Sequence, residues 1–447
     1  METTTRTPER SDIGGFLRRL GPTWLAGAIA AGPATMASLL TAGASFGYAL
    51  LWVVILSAVF GALGQYLAAR LGLFTEEGIV TTVEEHLGEL WAWILVVDVV
   101  LAAGLAQLVI MKTAADTSAA IAGSMGLATL ADPRIWGVAW AVVLAVGLAG
   151  GGYRVAEFGA KLLVSVVVLA FLATALVVPI DPAEAATGLV PAIPAGVGGA
   201  LVAAGVMGGA VHITLLTMQS YTMRAREWTV EDRDVAAFDI GSSMLLAFGI
   251  YSLAIFLVAA SVLEGTVDPA ALTEIQAAEA LGPLVGEYAT WLFLLGLLGA
   301  AVSTLGGNTV VPPYLLADKL GWELSIEDTR YRALLAGVAL LSALGGFIEG
   351  AVLPLLVLVL AFGLVGTPFA LVVILLLLND REVVPEGNPL WANVGGVVLV
   401  GVASVVAGSF VADELARVTE PLSALVVAFA AAMALATLAL VARAVVR

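Results

Sequence analysis

Gly205-Val206-Met207-Gly208-Gly209-Ala210 interrupts an apolar run at 194–223, and Ala31-Gly32-Pro33-Ala34-Thr35 interrupts another at 22–45. Proline removes a backbone donor and collides with the preceding turn, and paired glycines are poor helix formers, so each stretch is expected to break a helix near its middle. Taken singly, each is the kind of kink that membrane helices commonly carry. Their spacing says more. The two runs lie five apart, the separation of equivalent helices in a fold made of two inverted five-helix repeats. Broken helices of that kind expose half-helix ends and free carbonyls at mid-membrane, where a solute can be held. A binding site is therefore expected between spans one and six. It would be formed by Ala31, Gly32, Pro33, Ala34 and Thr35 on one side and Met207, Gly208, Gly209 and Ala210 on the other.

The rest of the chain agrees with a membrane setting. Its 447 residues are 61% hydrophobic and 12% charged, with a mean hydropathy of +1.04. Further apolar runs fall at about 48–71, 92–123, 133–151, 158–180, 235–263, 284–313, 330–348, 351–378, 390–411 and 421–445, which makes twelve spans in all. Each approaches the roughly 20 residues needed to cross a bilayer core. Tryptophans such as Trp24, Trp52, Trp91, Trp136 and Trp322 sit near run ends, as interfacial anchors do. With twelve spans and a cytoplasmic start, sixteen of the nineteen basic residues fall in inside loops or tails, which fits the positive-inside rule. Both termini are expected in the cytoplasm and the chain in the plasma membrane. Residues 1–20 read as a cytoplasmic tail. Residues 21–380 read as the core, with repeats at about 21–180 and 194–380, and 381–447 as two added helices. Short amphipathic surface helices are expected around Thr82–Leu90 and Ala270–Leu281.

Several function classes are excluded. There is no cysteine, so disulfides, thiolate metal sites and iron–sulfur ligation are out, and two histidines are too few for a histidine-built zinc centre. A net charge of −16 argues against nucleic acid. The scarcity of lysine beside acidic loops fits either a salt-adapted protein or a GC-rich genome. Gly150-Gly151-Gly152 lacks the Lys-Ser/Thr of a phosphate loop and reads as a tight turn. No nucleophile–base set and no pocketed carboxylate pair is visible, so an enzyme is not expected. Neither a cofactor nor an obligatory protein partner is indicated.

The polar residues inside spans admit both structural and functional roles. Lys112 and Asp116 are four apart on one helix face and can neutralise each other. Asp98 and Asp239 lie in or near the membrane, Asp239 as an anchor at the cytoplasmic end of span seven. His212 follows the break in span six, and is either a hydrogen-bonded core residue or a proton carrier, since its side chain titrates nearest physiological pH. Thr214 and Thr217 share a face one turn on, where threonines often bond their own backbone.

A family resemblance rests on particular residues. Gly21-Pro22, Ala42-Gly43-Ala44, Gly47-Tyr48-Ala49-Leu50-Leu51-Trp52 and Gln65-Tyr66-Leu67-Ala68-Ala69-Arg70-Leu71-Gly72 resemble the opening helices of the NRAMP divalent-metal transporters. So do Tyr153-Arg154 with Glu157, Gly188-Leu189-Val190-Pro191, Ile193-Pro194, Asp239 and Thr367-Pro368-Phe369-Ala370-Leu371. The resemblance implies an all-α LeuT-like fold with two extra C-terminal helices, and secondary transport of a Mn, Fe or Mg type cation coupled to protons. The family's first-helix Asp-Pro-Gly-Asn corresponds here to Gly32-Pro33-Ala34-Thr35, and its sixth-helix Met-Pro-His-Asn to Ala210-Val211-His212-Ile213. Its tenth-helix glutamine falls at Leu360, its seventh-helix asparagine at Tyr251, and its third-helix acids at Leu105 and Leu108.

Stripping water from a divalent ion is expensive without an anionic ligand. The groups left for a metal are the Thr35 hydroxyl, the backbone of Ala31 and Met207, and water; Met36 and Met207 are expected to line the site. Three readings are open. The chain carries a cation through a remodelled site. Alternatively it carries a small neutral or zwitterionic solute, held by half-helix N-termini and by Thr35, Ser38, Thr214 and Thr217. Or it is a sensor or leak channel on a transporter scaffold. The coupling ion is open between H⁺ and Na⁺.

Overall fold

The computed structural model describes residues 32–150, 154–194, 198–265 and 272–446, and the expectations for Ala31 and for the tail at 1–20 fall outside them. The described residues are helical with no strand. The labelled helices are α1 (Pro33–Phe46), α2 (Leu51–Thr75), α3 (Ile79–His86), α4 (Glu89–Ser124), α5 (Pro133–Ala149), α6 (Arg154–Val177), α7 (Gly199–Val211) and α8 (Ile213–Ala225). They continue with α9 (Arg233–Gly241), α10 (Gly249–Val262), α11 (Ala289–Thr309), α12 (Val311–Leu320), α13 (Thr329–Leu341), α14 (Val352–Asn379), α15 (Leu390–Leu415) and α16 (Pro421–Val446).

Among the described residues, nine helical segments are long and apolar enough to cross a membrane. The other three runs account for the difference from twelve. Run 22–45 is described only from residue 32. Run 133–151 forms the shorter helix α5, and run 330–348 stops as α13 and continues as a 3₁₀ stretch, Ser342–Phe347. The expected surface helix near 82–90 is α3, whose Ile79, Val80 and Val83 are buried. Its counterpart near 270–281 is described from residue 272 and forms the short helix Glu274–Ala278 with a 3₁₀ turn after it.

α14 packs on α7, α4 and α1, and α11 packs on α6 and α4. α14 carries Pro368 yet stays continuous. The seventh span contains a wide π segment, Ser242–Phe248, between α9 and α10. At the end of α8, Tyr221 Oη donates to Asp318 Oδ2 at 2.6 Å, and Thr81 Oγ1 donates to Asp318 Oδ1 at 2.7 Å. One carboxylate thus ties α8, α3 and α12 together. Beside it, Lys319 pairs with Glu84 at 3.0 Å and lies over the Trp93 ring.

The polar pairs expected from spacing have partners. Lys112 Nζ meets Asp116 Oδ2 at 2.7 Å and also donates to the Ile348 carbonyl at 2.9 Å. Asp239 pairs with Arg226 at 2.9 Å, which fits its expected role as an anchor. Asp98 is different. It is fully buried on α4, and neither carboxylate oxygen has a hydrogen-bond partner.

Candidate functional site

The sixth span is broken, though not where the glycines stand. α7 runs unbroken through Gly205, Met207, Gly208, Gly209 and Ala210, and the chain leaves helical geometry at His212, with φ −59° and ψ 139°. The physical reason lies in α14. A Cβ on Gly208 would overlap the Leu360 carbonyl oxygen and stand 2.8 Å from its carbon. The glycine is there for a close helix–helix approach, and packing outweighs its poor helix propensity.

His212 makes the break and caps the N-terminus of α8. Its Nδ1 accepts from the Thr214 N–H at 3.3 Å and lies 2.7 Å from Thr214 Oγ1. Accepting through Nδ1 implies the neutral tautomer with hydrogen on Nε2. The ring seats against Gly363 of α14, where any side chain would collide with it. Thr214 is thus engaged by the histidine, whereas Thr217 Oγ1 donates to the Ile213 carbonyl at 2.9 Å and stays with its own helix.

Across from this break, α1 starts at Pro33, with Gly32 extended before it at ψ 178°. A cavity of about 390 Å³ lies between the two places. From α1 and its cap it takes Gly32, Pro33, Ala34 and Thr35, and from the sixth span Gly209, His212, Thr214, Leu215 and Met218. Other walls come from α4 (Ala106, Ile110), α11 (Ser303, Thr304, Gly307, Asn308), Val311 of α12, and α14 (Val359, Leu360).

Several expected site residues are not in these walls. Met36 and Met207 are 0% exposed and sit in the apolar core, so neither lines the site as expected. Gly208 and Ala210 are buried against neighbouring helices. Ser38 is also buried, close to Gly205. Tyr251 is buried with an unpartnered hydroxyl, away from the lining. Leu360 does face the cavity, and presents apolar surface where the family resemblance puts an amide.

Sequence reasoning missed the α11 wall. Its signal was present in the intramembrane Asn308 and the neighbouring hydroxyls Ser303 and Thr304. Asn308 Nδ2 donates to the Ala103 carbonyl at 2.8 Å and to Gln107 Oε1 at 2.9 Å, and Gln107 Nε2 donates to Thr309 Oγ1 at 2.7 Å. This chain of amides locks α11 to α4.

The site is electrically mild. Among the described residues, no Asp, Glu, Lys or Arg lines the cavity. Among the described residues there is no group of three or more His, Cys, Asp or Glu able to hold a metal ion. Fixed partial charges remain: the N-termini of α1 and α8 are positive and the C-terminus of α7 is negative. Hydroxyl and amide groups on a largely apolar wall can orient a small solute or the water shell of an ion. They do not strip that shell.

The break at His212 in the sixth span and the start of α1 at Pro33, facing each other across a cavity, fit a polytopic membrane protein of the transporter class. Mhp1, a nucleobase-cation-symport-1 family transporter solved with bromovinylhydantoin bound, is 16% identical, with a TM-score of 0.51 over 95% of this chain and 92% of that one. The manganese transporter of Eremococcus coleocola gives a TM-score of 0.69 at 17% identity, covering 99% of this chain and 97% of that chain. At such identities the likeness speaks for the fold, which is LeuT-like. The profile of the Nramp family, "Natural resistance-associated macrophage protein-like", matches residues 23–413, and the chain belongs to that family. Among its relatives, the divalent metal cation transporter MntH of Mycobacterium tuberculosis (strain H37Rv) is 29% identical over 366 residues, which is 78% of this chain and 81% of that protein.

Proposed function

We propose that this chain is a secondary transporter of a divalent metal cation that crosses the membrane with much of its hydration shell. The observation that carries the reading is the Nramp match over residues 23–413, which includes both helix ends at the cavity. With no carboxylate among the described residues of the wall, full dehydration would be too costly. Mg²⁺-like ions give up water reluctantly and are often held through it. Six waters at about 30 Å³ each take up roughly 180 Å³, and the cavity of about 390 Å³ has room for them. Thr35, Thr304 and Asn308 would then accept from or donate to bound water. Affinity would be low and salt-sensitive.

The apolar walls favour a second reading, a small neutral or zwitterionic organic solute. Ala106, Ile110, Leu215, Met218, Val359 and Leu360 suit its carbon skeleton, and the α1 and α8 N-termini suit a carboxylate. In either case no covalent chemistry is involved. The reading takes 21–180 and 194–380 as the two repeats and 381–447 as an addition. It places the chain in the plasma membrane with both termini cytoplasmic, on the asymmetry of its basic residues.

Mn²⁺ and Mg²⁺ uptake into proteoliposomes, at high and low salt and with and without a pH gradient, tests this. Saturable uptake, weakened in Thr35→Ala, is the expected result. No uptake by folded protein retires the metal, and amino acids and other small solutes are then screened by thermal shift. If protons drive the flux, His212 carries them, and His212→Ala should lose the pH-driven component. Full pH-driven uptake in that variant removes the assignment.

A further inference from the structure

A second cavity, of about 400 Å³, opens where the end of α2, the start of α9 and the connection from α14 to α15 meet. Its charged lining is balanced. Arg70 of α2 and Arg233 of α9 stand with Asp234 of α9 and Glu386 of the connection, and Asn388 lies beside them. Arg70 is only 7% exposed. Its Nη2 donates to Glu386 Oε1 at 2.7 Å and to the Gly387 carbonyl at 3.0 Å, and its Cζ lies 4.9 Å from the centroid of the Phe74 ring. Its Nε is buried without a hydrogen-bond partner, and so is Asn388 Oδ1. A buried guanidinium with part of its fork unused is unfavourable unless something completes it. The connection itself is firmly built. Val383 and Val384 are buried, Asn388 Nδ2 donates to Asn393 Oδ1 at 2.7 Å, and Asn393 Nδ2 donates to Asn379 Oδ1 at 2.7 Å. Glu386 and Asn388 are thus held in place beside Arg70.

The paired signs narrow the choice of ligand. The carboxylates repel a simple anion and the guanidiniums repel a simple cation, so a molecule carrying both charges fits best. The planar arginine fork suits a phosphate, and carboxylates suit an ammonium that can donate to them. The surroundings are those of a bilayer boundary. Tyr66, in the cavity wall, packs on Trp391 with ring centroids 5.3 Å apart, and aromatic rings of this kind favour the headgroup level. Trp391 and its neighbour Leu390 are exposed, as is Phe238 next to Ala237 of the wall. The polar cavity therefore borders apolar surface suited to acyl chains, and charged pockets between membrane helices are known to hold lipid headgroups.

We propose that this cavity holds the headgroup of a zwitterionic phospholipid bearing a primary ammonium, of the phosphatidylethanolamine type. Arg70 and Arg233 take the phosphate, Glu386 and Asp234 the ammonium, and Tyr66 with Trp391 borders the glycerol region. The leaflet, cytoplasmic, rests on the orientation proposed above; the binding does not. Purified full-length protein in neutral detergent is given equal amounts of phosphatidylethanolamine, phosphatidylcholine and phosphatidylglycerol with the same acyl chains. Bound lipid is counted by native mass spectrometry, with the melting temperature in each lipid alone as a second readout. No cargo is present, so the outcome is independent of the transport reading. Phosphatidylethanolamine should be retained about tenfold better than phosphatidylcholine, whose methylated nitrogen cannot donate, and than phosphatidylglycerol, which has no ammonium. Arg233→Gln should weaken its retention about tenfold, and Glu386→Gln should remove the preference over phosphatidylcholine. Arg381→Gln, on the same connection but outside the cavity wall, should change neither. Phosphatidylglycerol retained as well as phosphatidylethanolamine overturns the proposal, as does unchanged retention in folded Arg233→Gln. An equal loss in Arg381→Gln would show general surface attraction and overturns it too. Free phosphoethanolamine that raises the melting temperature as far as the lipid does would remove the lipid as occupant. Should Glu386→Gln fail to fold, having lost the partner of Arg70, Asp234→Asn takes its place.

Discussion

Gly208→Ala should destabilise the protein even though alanine is the better helix former. The substitution gains roughly 0.5–1 kcal/mol of helix propensity. Against that, the new methyl meets the Leu360 carbonyl on α14, a backbone group with no rotamer to move to. Overpacking of this kind costs about 1–3 kcal/mol, and rigid backbone on both sides puts it at the upper end. The net expectation is a loss of about 1–2 kcal/mol. Gly401→Ala on α15 is the control, because a Cβ there meets nothing within 4 Å. It should gain the propensity alone, about 0.5–1 kcal/mol. The two variants should thus differ by about 1.5–3 kcal/mol, with opposite signs relative to wild type. Unfolding midpoints in mixed SDS micelles, with thermal melts as a second readout, give the comparison. If Gly208→Ala is as stable as Gly401→Ala, the close approach of α7 and α14 is not what the glycine serves, and the account of the unbroken α7 fails.

Two further outcomes are expected. Asp116→Asn should cost about 3 kcal/mol, since it leaves the buried Lys112 ammonium with the Ile348 carbonyl as its remaining partner. The Lys112→Met/Asp116→Leu double variant should recover most of that in the same unfolding assay; if it is the least stable of the set, the pair is worth more than its desolvation. Asp328 caps α13, and the Arg330 guanidinium beside it holds its carboxyl well below the usual carboxylate range. A depressed folded-state pKa contributes stability above the unfolded value, near 3.9, that is lost as pH falls through the folded one. The melting-temperature gap between wild type and Asp328→Asn should therefore be small and flat from neutral pH down to about 5, and close only in stronger acid. A gap that closes near pH 6 would rule out this pairing.

The features legible in the sequence are those set by composition and period. Apolar runs, interfacial tryptophans and the five-run spacing of two weak points led to a broken-helix membrane fold, and residues 33 and 212 are where helices begin and end. Local propensity was the misleading signal. Gly208-Gly209 has the composition of a break, but in a packed membrane core small residues are also how two backbones come close, and only the position of Leu360 decides between the two. The same limit hid the α11 wall. Ser303 and Thr304 look like any pair of membrane hydroxyls until both are seen to line the cavity without a bond to their own helix backbone. Met36 and Met207 were placed near the breaks by count along the chain, yet the helical turn points both into the core.

The π segment at Ser242–Phe248 acts as a gear with one extra tooth. A residue absorbed into a wide turn rotates everything after it by roughly 100° about the axis. The side chain that takes a given direction in α10 is then one position further along than an uninterrupted helix would give. Facing the heading reckoned for Tyr251 is accordingly Ser252, which is fully buried and has an unpartnered hydroxyl. Removing a single residue from 242–248 would let the span close up as an ordinary helix, with Tyr251 and Ser252 keeping their headings and both ends of the span, and the Arg226–Asp239 anchor before the segment, where they are.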